Sequence, residues 1–261
     1  SIDIMVVLVD MGYYTFYRYH ACKKWWSFKK EKEQKDPFLK ETEFKEKLIE
    51  KYEFYLNKLM KDTKTDKMVI ALDSLSEKNW KKDIFPEYKS NRPKNDDIHL
   101  LFKYLKQTFI PKLKKEYPNI EILIELGKEA DDLVAEKIYE LHQNKYEGDI
   151  IIIASDMDYL QLVEKDNKVV IKDMNLKVLS EKDFVGSEYL IWKIIHGDPS
   201  DNIPPIFKGR NSKKKKEELF QEILKIHKTK NFKNDSLPKD LFENEEDYNK
   251  FHFNKKLIQL K

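Results

Sequence analysis

Four short apolar runs rich in valine and isoleucine, Met5–Val9, Met68–Leu72, Ile120–Ile124 and Asp149–Ala154, each give way to carboxylates. Runs of this length and composition predict buried parallel strands. Helical patterns lie between them. Thr42–Leu59 sets Phe44, Leu48, Tyr52, Leu56 and Leu59 at three- and four-residue spacing among lysines and glutamates, and Ile98–Phe109 and Glu129–Leu141 repeat the pattern. This alternation predicts an α/β fold, a mostly parallel sheet with helices on both faces. Ligands of such a sheet bind beyond the carboxyl ends of its strands. Asp10 and Asp73 directly follow the first and second runs, Asp156 follows the fourth, and Glu129 lies a few residues past the third. The predicted fold sends all four to one edge.

Nine carboxylates recur in short motifs: Asp10 in VLVDMG, Asp73 in VIALDS, Glu129, Asp131 and Asp132 in GKEADD, Asp156 and Asp158 in IIIASDMDYLQL, and Asp198 and Asp201 in IIHGDPSDNIPP. Each has an ordinary reading. Asp10 and Asp73 suit helix N-caps, the GKEADD acids suit the first turn of a helix, and GDPSDN suits a turn with Asx caps. Together they make a crowded anionic edge that costs energy without a cation. Hard divalent cations take oxygen ligands and keep waters for chemistry. The pattern points to a metal-dependent enzyme acting on phosphate.

Composition excludes several classes. The 261 residues hold 50 Lys and Arg against 47 Asp and Glu, so net charge names no partner. The local distribution does: Lys208–Lys216 (KGRNSKKKK) carries six cations, Lys208, Arg210 and Lys213, Lys214, Lys215 and Lys216, and no acid. Basic flanks beside an acidic pocket suit a polyanion. One cysteine, Cys22, excludes a disulfide framework and predicts a reducing compartment, the cytoplasm. No apolar run reaches the roughly 18 residues of a membrane span. The opening SIDIMVVLVD reads as a strand rather than a signal peptide, with an initiator Met or longer N-terminus removed. His20 and Cys22 lack the companions of a zinc site, and no phosphate-binding GxxxxGK[ST] loop is present. The aromatic tract Tyr13–Phe28 reads as packing. Lys168–Lys172 and Lys177–Leu179 read as a short hairpin, Lys228–Asp240 as a polar loop, and Glu243–Lys261 as a last helix. Trp80–Asn95 interleaves Lys81, Lys82, Lys89, Arg92 and Lys94 with Trp80, Phe85 and Tyr88. That mixture fits either a solvated loop or a single-strand site, with cations for phosphate and rings for stacking.

The ordered series VDMG, ALDS, YKSNR, GKEADD, SDMDYLQL and GDPSDNIP, over residues 5 to about 211, resembles the 5′-nuclease family of flap endonucleases and 5′→3′ exonucleases. Within it, the tract VIALDSLSEKNWKKDIFPEYKSNRPK is similar to the RNase H of T-even bacteriophages. The resemblance implies a PIN-like nuclease domain over 1–185 with an arch or lid at about 76–97. It implies a helical part over 186–261, shortened at its C-terminus, with a helix-hairpin-helix-type duplex-binding element. It implies two Mg²⁺ ions, Mn²⁺ being a plausible substitute. Asp10, Asp73, Glu129 and Asp131 or Asp132 match the tighter group, Asp198 and Asp201 the second, and Asp156 and Asp158 lie between. Lys89 and Arg92 would hold the scissile phosphate. Tyr88, Lys81, Lys82 and the Lys208–Lys216 cations would bind nucleic acid. The implied activity is cleavage of DNA and RNA–DNA hybrids at a 5′ end or flap, in primer removal during phage or viral replication, by a monomer with or without a fork protein. Two departures stand out. Met11-Gly12-Tyr13-Tyr14 replaces the family's frequent Gly-Asn, and Gly209 alone remains where relatives space several glycines around a monovalent cation. A catalytically silent DNA-binding relative and a DxD glycosyltransferase are the rival readings.

Overall fold

The computed structural model describes residues 5–29, 35–65, 67–74, 78–164, 167–227 and 237–261. Most of the polar loop expected at Lys228–Asp240, and residues 76–77 of the expected arch, lie outside them. In chain order the elements are β1 (Val6–Asp10), α1 (Met11–Lys29), α2 (Pro37–Lys40), α3 (Thr42–Thr63), β2 (Lys67–Ala71), α4 (Trp80–Ile84) and α5 (Asp96–Tyr104). A π-helical turn, Leu105–Phe109, joins α5 to α6 (Ile110–Glu116). Then come β3 (Glu121–Leu123), α7 (Ala130–Gln143), β4 (Ile150–Ile153), β5 (Val169–Lys172), α8 (Gly186–His196), α9 (Ser212–His227) and α10 (Glu245–Ile258). They form two compact units.

The first unit comprises Ser1–Asn79, Pro93–Asp156 and Lys168–Leu179. Its sheet runs β3-β2-β1-β4-β5, parallel throughout. One face, Val7, Val9, Met68, Ile70, Ile151 and Ile153, packs with Met11 and Tyr14 of α1 and with Tyr52, Leu56 and Leu59 of α3. The alternate residues Leu8, Val69, Ile150 and Ile152 are buried too, and α7 lies against β1 and β2. Each such side chain contributes about 1.5–3 kcal/mol on full burial. This is the two-sided sheet expected from the continuous apolar runs.

The aromatic tract does pack inward: α1 buries Tyr14, Tyr19, Cys22 and Trp26 at helical spacing. The helix expected over Ile98–Phe109 differs in detail. It starts at Asp96, capped by the Asn95 side chain, and changes to π geometry at Leu105. Pro111 supplies a reason. Its ring cannot donate to Gln107 and would crowd that carbonyl in a continuous α-helix, which a wider turn relieves. Asp97 is fully buried and accepts from the Tyr19 hydroxyl (2.6 Å) and the Phe38 and Leu39 amides (3.0 and 2.7 Å). The expected hairpin forms as a short one: Lys172 bridges Val178 antiparallel, with the Asp173 amide donating to the Lys177 carbonyl (3.0 Å) and the Leu179 amide to the Ile171 carbonyl (2.9 Å), around a turn capped by Asp173. Its first arm, β5, also runs parallel to β4 at the sheet edge.

The second unit comprises Trp80–Arg92, Met157–Asn167 and Ser180–Lys261. Its core joins Leu190, Ile191, Ile194 and Ile195 of α8, Leu219, Phe220 and Ile223 of α9, and Phe251, Leu257 and Ile258 of α10. Gln161 ties the chain end down, donating to the Ile258 carbonyl (2.9 Å) and accepting from the Leu260 amide (3.0 Å).

Candidate functional site

In the first unit, parallel register sets Asp10 opposite Ala71 and Val9 opposite Ile153, so the ends of β1, β2 and β4 lie side by side. Asp10 is the last residue of β1. Its Oδ1 accepts from the Tyr13 amide at 3.1 Å, so it also caps α1. Gly12 permits this closeness: a Cβ there would sit 3.2 Å from Asp10 Oδ1. Asp73 lies two residues past β2 and reaches α7, its Oδ1 accepting from the Ala130 amide at 2.6 Å. Lys106, in the π turn, donates to the Asp73 carbonyl at 2.5 Å. Burial lowers the Lys106 ammonium pKa, and Asp73 opposes that. At the start of α7, carboxylate oxygens of Glu129, Asp131 and Asp132 lie within 4.8 Å of one another, with Glu129 and Asp132 buried. Asp132 also accepts from the Glu129 amide (3.4 Å) while the Glu129 side chain accepts from the Asp132 amide, a reciprocal capping box, so the capping role expected of first-turn acids is real. Asp156, three residues past β4, is exposed.

In the second unit, carboxylate oxygens of Asp158, Asp198 and Asp201 lie within 4.8 Å of one another. Asp156 and Asp158 thus belong to different units, although the sequence reading set both between the groups. Gly197 makes the loop carrying Asp198 and Asp201. Its φ of 71° and ψ of −171° suit glycine alone, and the Asp198 and Ile203 backbones then pair at 2.9 and 2.8 Å. Ser200 donates to Asp198 Oδ1 from its amide (2.9 Å) and hydroxyl (2.6 Å). Lys193 lies 2.9 Å from Asp198 Oδ2 and 3.4 Å from Asp158 Oδ1, and the Tyr189 hydroxyl donates to Asp158 at 3.2 Å. Burial alone would raise the Asp198 pKa; Ser200 and then Lys193 outweigh it and hold the group below its ordinary value.

YKSNR is fastened to this same loop. Arg92 pairs with Asp201 at 2.6 Å, the Tyr88 hydroxyl donates to Asp201 at 3.3 Å, and Asn91 donates to the Pro199 carbonyl at 3.0 Å. Lys89 takes a left-handed backbone, φ 55°, while its amide donates to the Asp201 carbonyl at 3.1 Å. Two nucleic-acid expectations need correction. Tyr88 and Lys81 are each only 2% exposed, and the Lys81 ammonium lies over the Trp80 and Tyr88 rings. They pack the unit's interior rather than present a ring and a charge to a strand. Lys82, Lys208, Arg210, Lys213 and Lys214 are exposed. Lys215 is paired with Glu243 at 2.9 Å, and Lys216 is half-buried. Sequence reasoning missed Lys193, which pairs with Asp198 and Asp158, and Lys106, which bonds the Asp73 carbonyl. Lys193 had one signal, a lone charge in the apolar run IWKII.

Residues 5–189 match the family described as 5′-3′ exonuclease, N-terminal resolvase-like domain. The chain belongs to this family. As a member of the 5′-3′ exonuclease family it is similar to the 5′-3′ exonuclease of Buchnera aphidicola subsp. Schizaphis graminum, 32% identical over 160 residues, covering 58% of this chain and 51% of that one. It is similar to DNA polymerase I of Caldicellulosiruptor bescii, 31% identical over 193 residues, covering 65% of this chain and 21% of that one. The chain therefore spans about half the length of the first relative and about a fifth of the second. In fold it is similar to the T5 5′-exonuclease with bound zinc ions, TM-score 0.64. It is also similar to the bacteriophage T5 flap endonuclease in a pseudo-enzyme–product complex with DNA and metal ions, TM-score 0.63. Both are 20% identical to it and cover 98% of this chain and 89% of theirs. Family membership removes the glycosyltransferase reading.

Proposed function

We propose that this chain is a Mg²⁺-dependent 5′→3′ exonuclease and flap endonuclease. The observation that carries the reading is the gathering of Glu129, Asp131 and Asp132 at the carboxyl edge of a 5′-nuclease sheet, with Asp73 bonded to the same helix start. The donor set is entirely carboxylate oxygen, which fits a hard divalent ion. Asp10, Asp73, Glu129, Asp131 and Asp132 would hold one ion; Asp158, Asp198 and Asp201 are the candidates for a second. Such ions supply an activated water and stabilisation of the leaving 3′-oxygen.

The remaining roles fall to this chain's cations. Lys89 and Arg92 hold and neutralise the scissile phosphate, a reading supported by the left-handed backbone at Lys89, since strain of this kind persists where surroundings over-determine it. Lys213, Lys214, Lys215 and Lys216 fill the start of α9, where the helix dipole favours anions over cations. Lys215 is paired with Glu243 and Lys214 with Glu218, yet the surplus of cations placed there supports a duplex phosphate as a further counter-charge. Primer removal from RNA–DNA hybrids in phage or viral replication is the finer reading, carried by the likeness of the tract VIALDSLSEKNWKKDIFPEYKSNRPK.

The test is a 5′-labelled flap duplex incubated with wild type and Asp131→Asn, in Mg²⁺ and in chelator. Wild type should cleave only with Mg²⁺, and Asp131→Asn should bind the flap but not cut it. Cleavage that survives chelation sinks the metal reading. Binding without cleavage by wild type in Mg²⁺ identifies the silent DNA-binding relative instead.

A further inference from the structure

The second acidic group already holds a cation of its own. Lys193 projects from the last turn of α8, and its ammonium is 2.9 Å from Asp198 Oδ2 and 3.4 Å from Asp158 Oδ1. Both carboxylates belong to the trio, with Asp201, whose oxygens come within 4.8 Å of one another as a divalent ion would need. All three side chains are largely enclosed: Lys193 is 16% exposed, Asp158 15% and Asp198 9%. Arg92 engages the third acid, Asp201. Three carboxylates thus meet two cations, and the group carries about one net negative charge rather than three. Partly buried charges couple strongly, so a resident ammonium competes directly with an incoming ion.

We propose that Lys193 is the resident counter-ion of the second acidic group, and that a divalent ion enters between Asp158 and Asp198 only as Lys193 withdraws. The inference rests on the proposed metal-dependent reading and deepens it. Lys193 is a positioning residue that makes the second ion conditional: the group is stable without metal, and its metal affinity is set by how readily one lysine leaves. A scaffold role alone would make Lys193 necessary for folding and indifferent to metal.

Mn²⁺ titration of the whole chain, with free ion read by electron paramagnetic resonance, separates these roles without any substrate. Lys193→Met keeps most of the side chain and removes the charge. Its Mn²⁺ affinity at the second group should rise on the order of tenfold or more, as expected from deleting a close like charge. Asp198→Asn in the same background should abolish that gain. Metal-free Lys193→Met should melt below wild type and be restored by Mn²⁺. If this variant does not fold, wild type still decides the matter. Reaction of Lys193 with an amine-acylating reagent, read by mass spectrometry, should increase as Mn²⁺ fills the second site. Unchanged second-site affinity in Lys193→Met, or unchanged Lys193 reactivity on saturation of two sites, overturns the proposal. Failure of wild type to bind Mn²⁺ at all overturns the metal reading beneath it, a visibly different result.

Discussion

Gly197 offers a direct test of how the GDPSDN loop is built. Its backbone, φ 71° and ψ −171°, lies in a region open essentially to glycine. Gly197→Ala therefore carries a conformational cost of about 1–3 kcal/mol. A steric cost adds to it. The new Cβ would lie 2.6 Å from the Ile203 carbonyl oxygen and from the Pro204 carbonyl carbon, and 2.7 Å from the Pro204 oxygen. These are backbone atoms that cannot rotate aside. The Ile203 oxygen is also the acceptor of the Asp198 amide, so relief of the clash breaks a loop-closing bond. Overpacking of this kind adds about 1–3 kcal/mol. The sum, about 2–6 kcal/mol, is a large fraction of an ordinary domain's stability. Urea unfolding is the assay. With a slope of about 2 kcal/mol/M, the midpoint should fall by about 1–3 M. Gly209→Ala is the control: its φ of 80° is also left-handed, but nothing lies within 4 Å of the added Cβ. It should show the conformational cost alone. Equal midpoint shifts in the two variants, or a Gly197→Ala shift inside the roughly 0.5 kcal/mol of a neutral surface change, would refute the steric argument.

Asp97→Ala should destabilise by about 3–5 kcal/mol, because three buried donors, Tyr19, Phe38 and Leu39, lose their acceptor together; thermal and urea melts measure it, and a change under 1 kcal/mol would show that water replaces the carboxylate. Lys89→Ala should slow single-turnover cleavage of a flap substrate by about 10²–10³ at saturating enzyme, by analogy with other preorganised donors at developing charge; recovery of full rate on raising enzyme concentration would assign Lys89 to binding alone. Changing Lys213, Lys214, Lys215 and Lys216 together to Ala should weaken duplex binding and flatten its salt dependence, each phosphate contact contributing about 0.9 to the slope. Lys215, held by Glu243, should account for the smallest share when changed singly.

The parallel sheet was legible because strands buried on both faces read as continuous apolar runs, and β1, β2, β3 and β4 fall within a residue or two of their expected places. The acids were legible because strand ends share an edge whatever the helices do. Other features depended on partners far away in sequence. Asp97 looks like any acid in a first turn; its donors are 58 to 78 residues distant. Lys193 reads as the polar stripe of a helix until Asp158 and Asp198 are brought to it. Tyr88 and Lys81 were misplaced because interleaved rings and cations have one sequence pattern whether they face a strand of nucleic acid or a core. The tie between YKSNR and GDPSDN, 108 and 109 residues apart, has no local signature at all.

The π turn at Leu105–Phe109 sets a phase between the two halves of the rod from Asp96 to Glu116. Upstream, Ile98 and Leu101 face the cluster of Tyr19, Trp26 and Phe44; downstream, Phe109 and Leu113 face the sheet. Removing one residue, Thr108 for instance, would let the turn close into ordinary α geometry and wind the upstream half by about 100° relative to the downstream half. Asp97 would then swing off its donors and Lys106 off the Asp73 carbonyl in a single motion. The helix thus works as an indexed shaft, with one extra residue in a single turn keeping a structural acid and a lysine at the end of β2 in register at once.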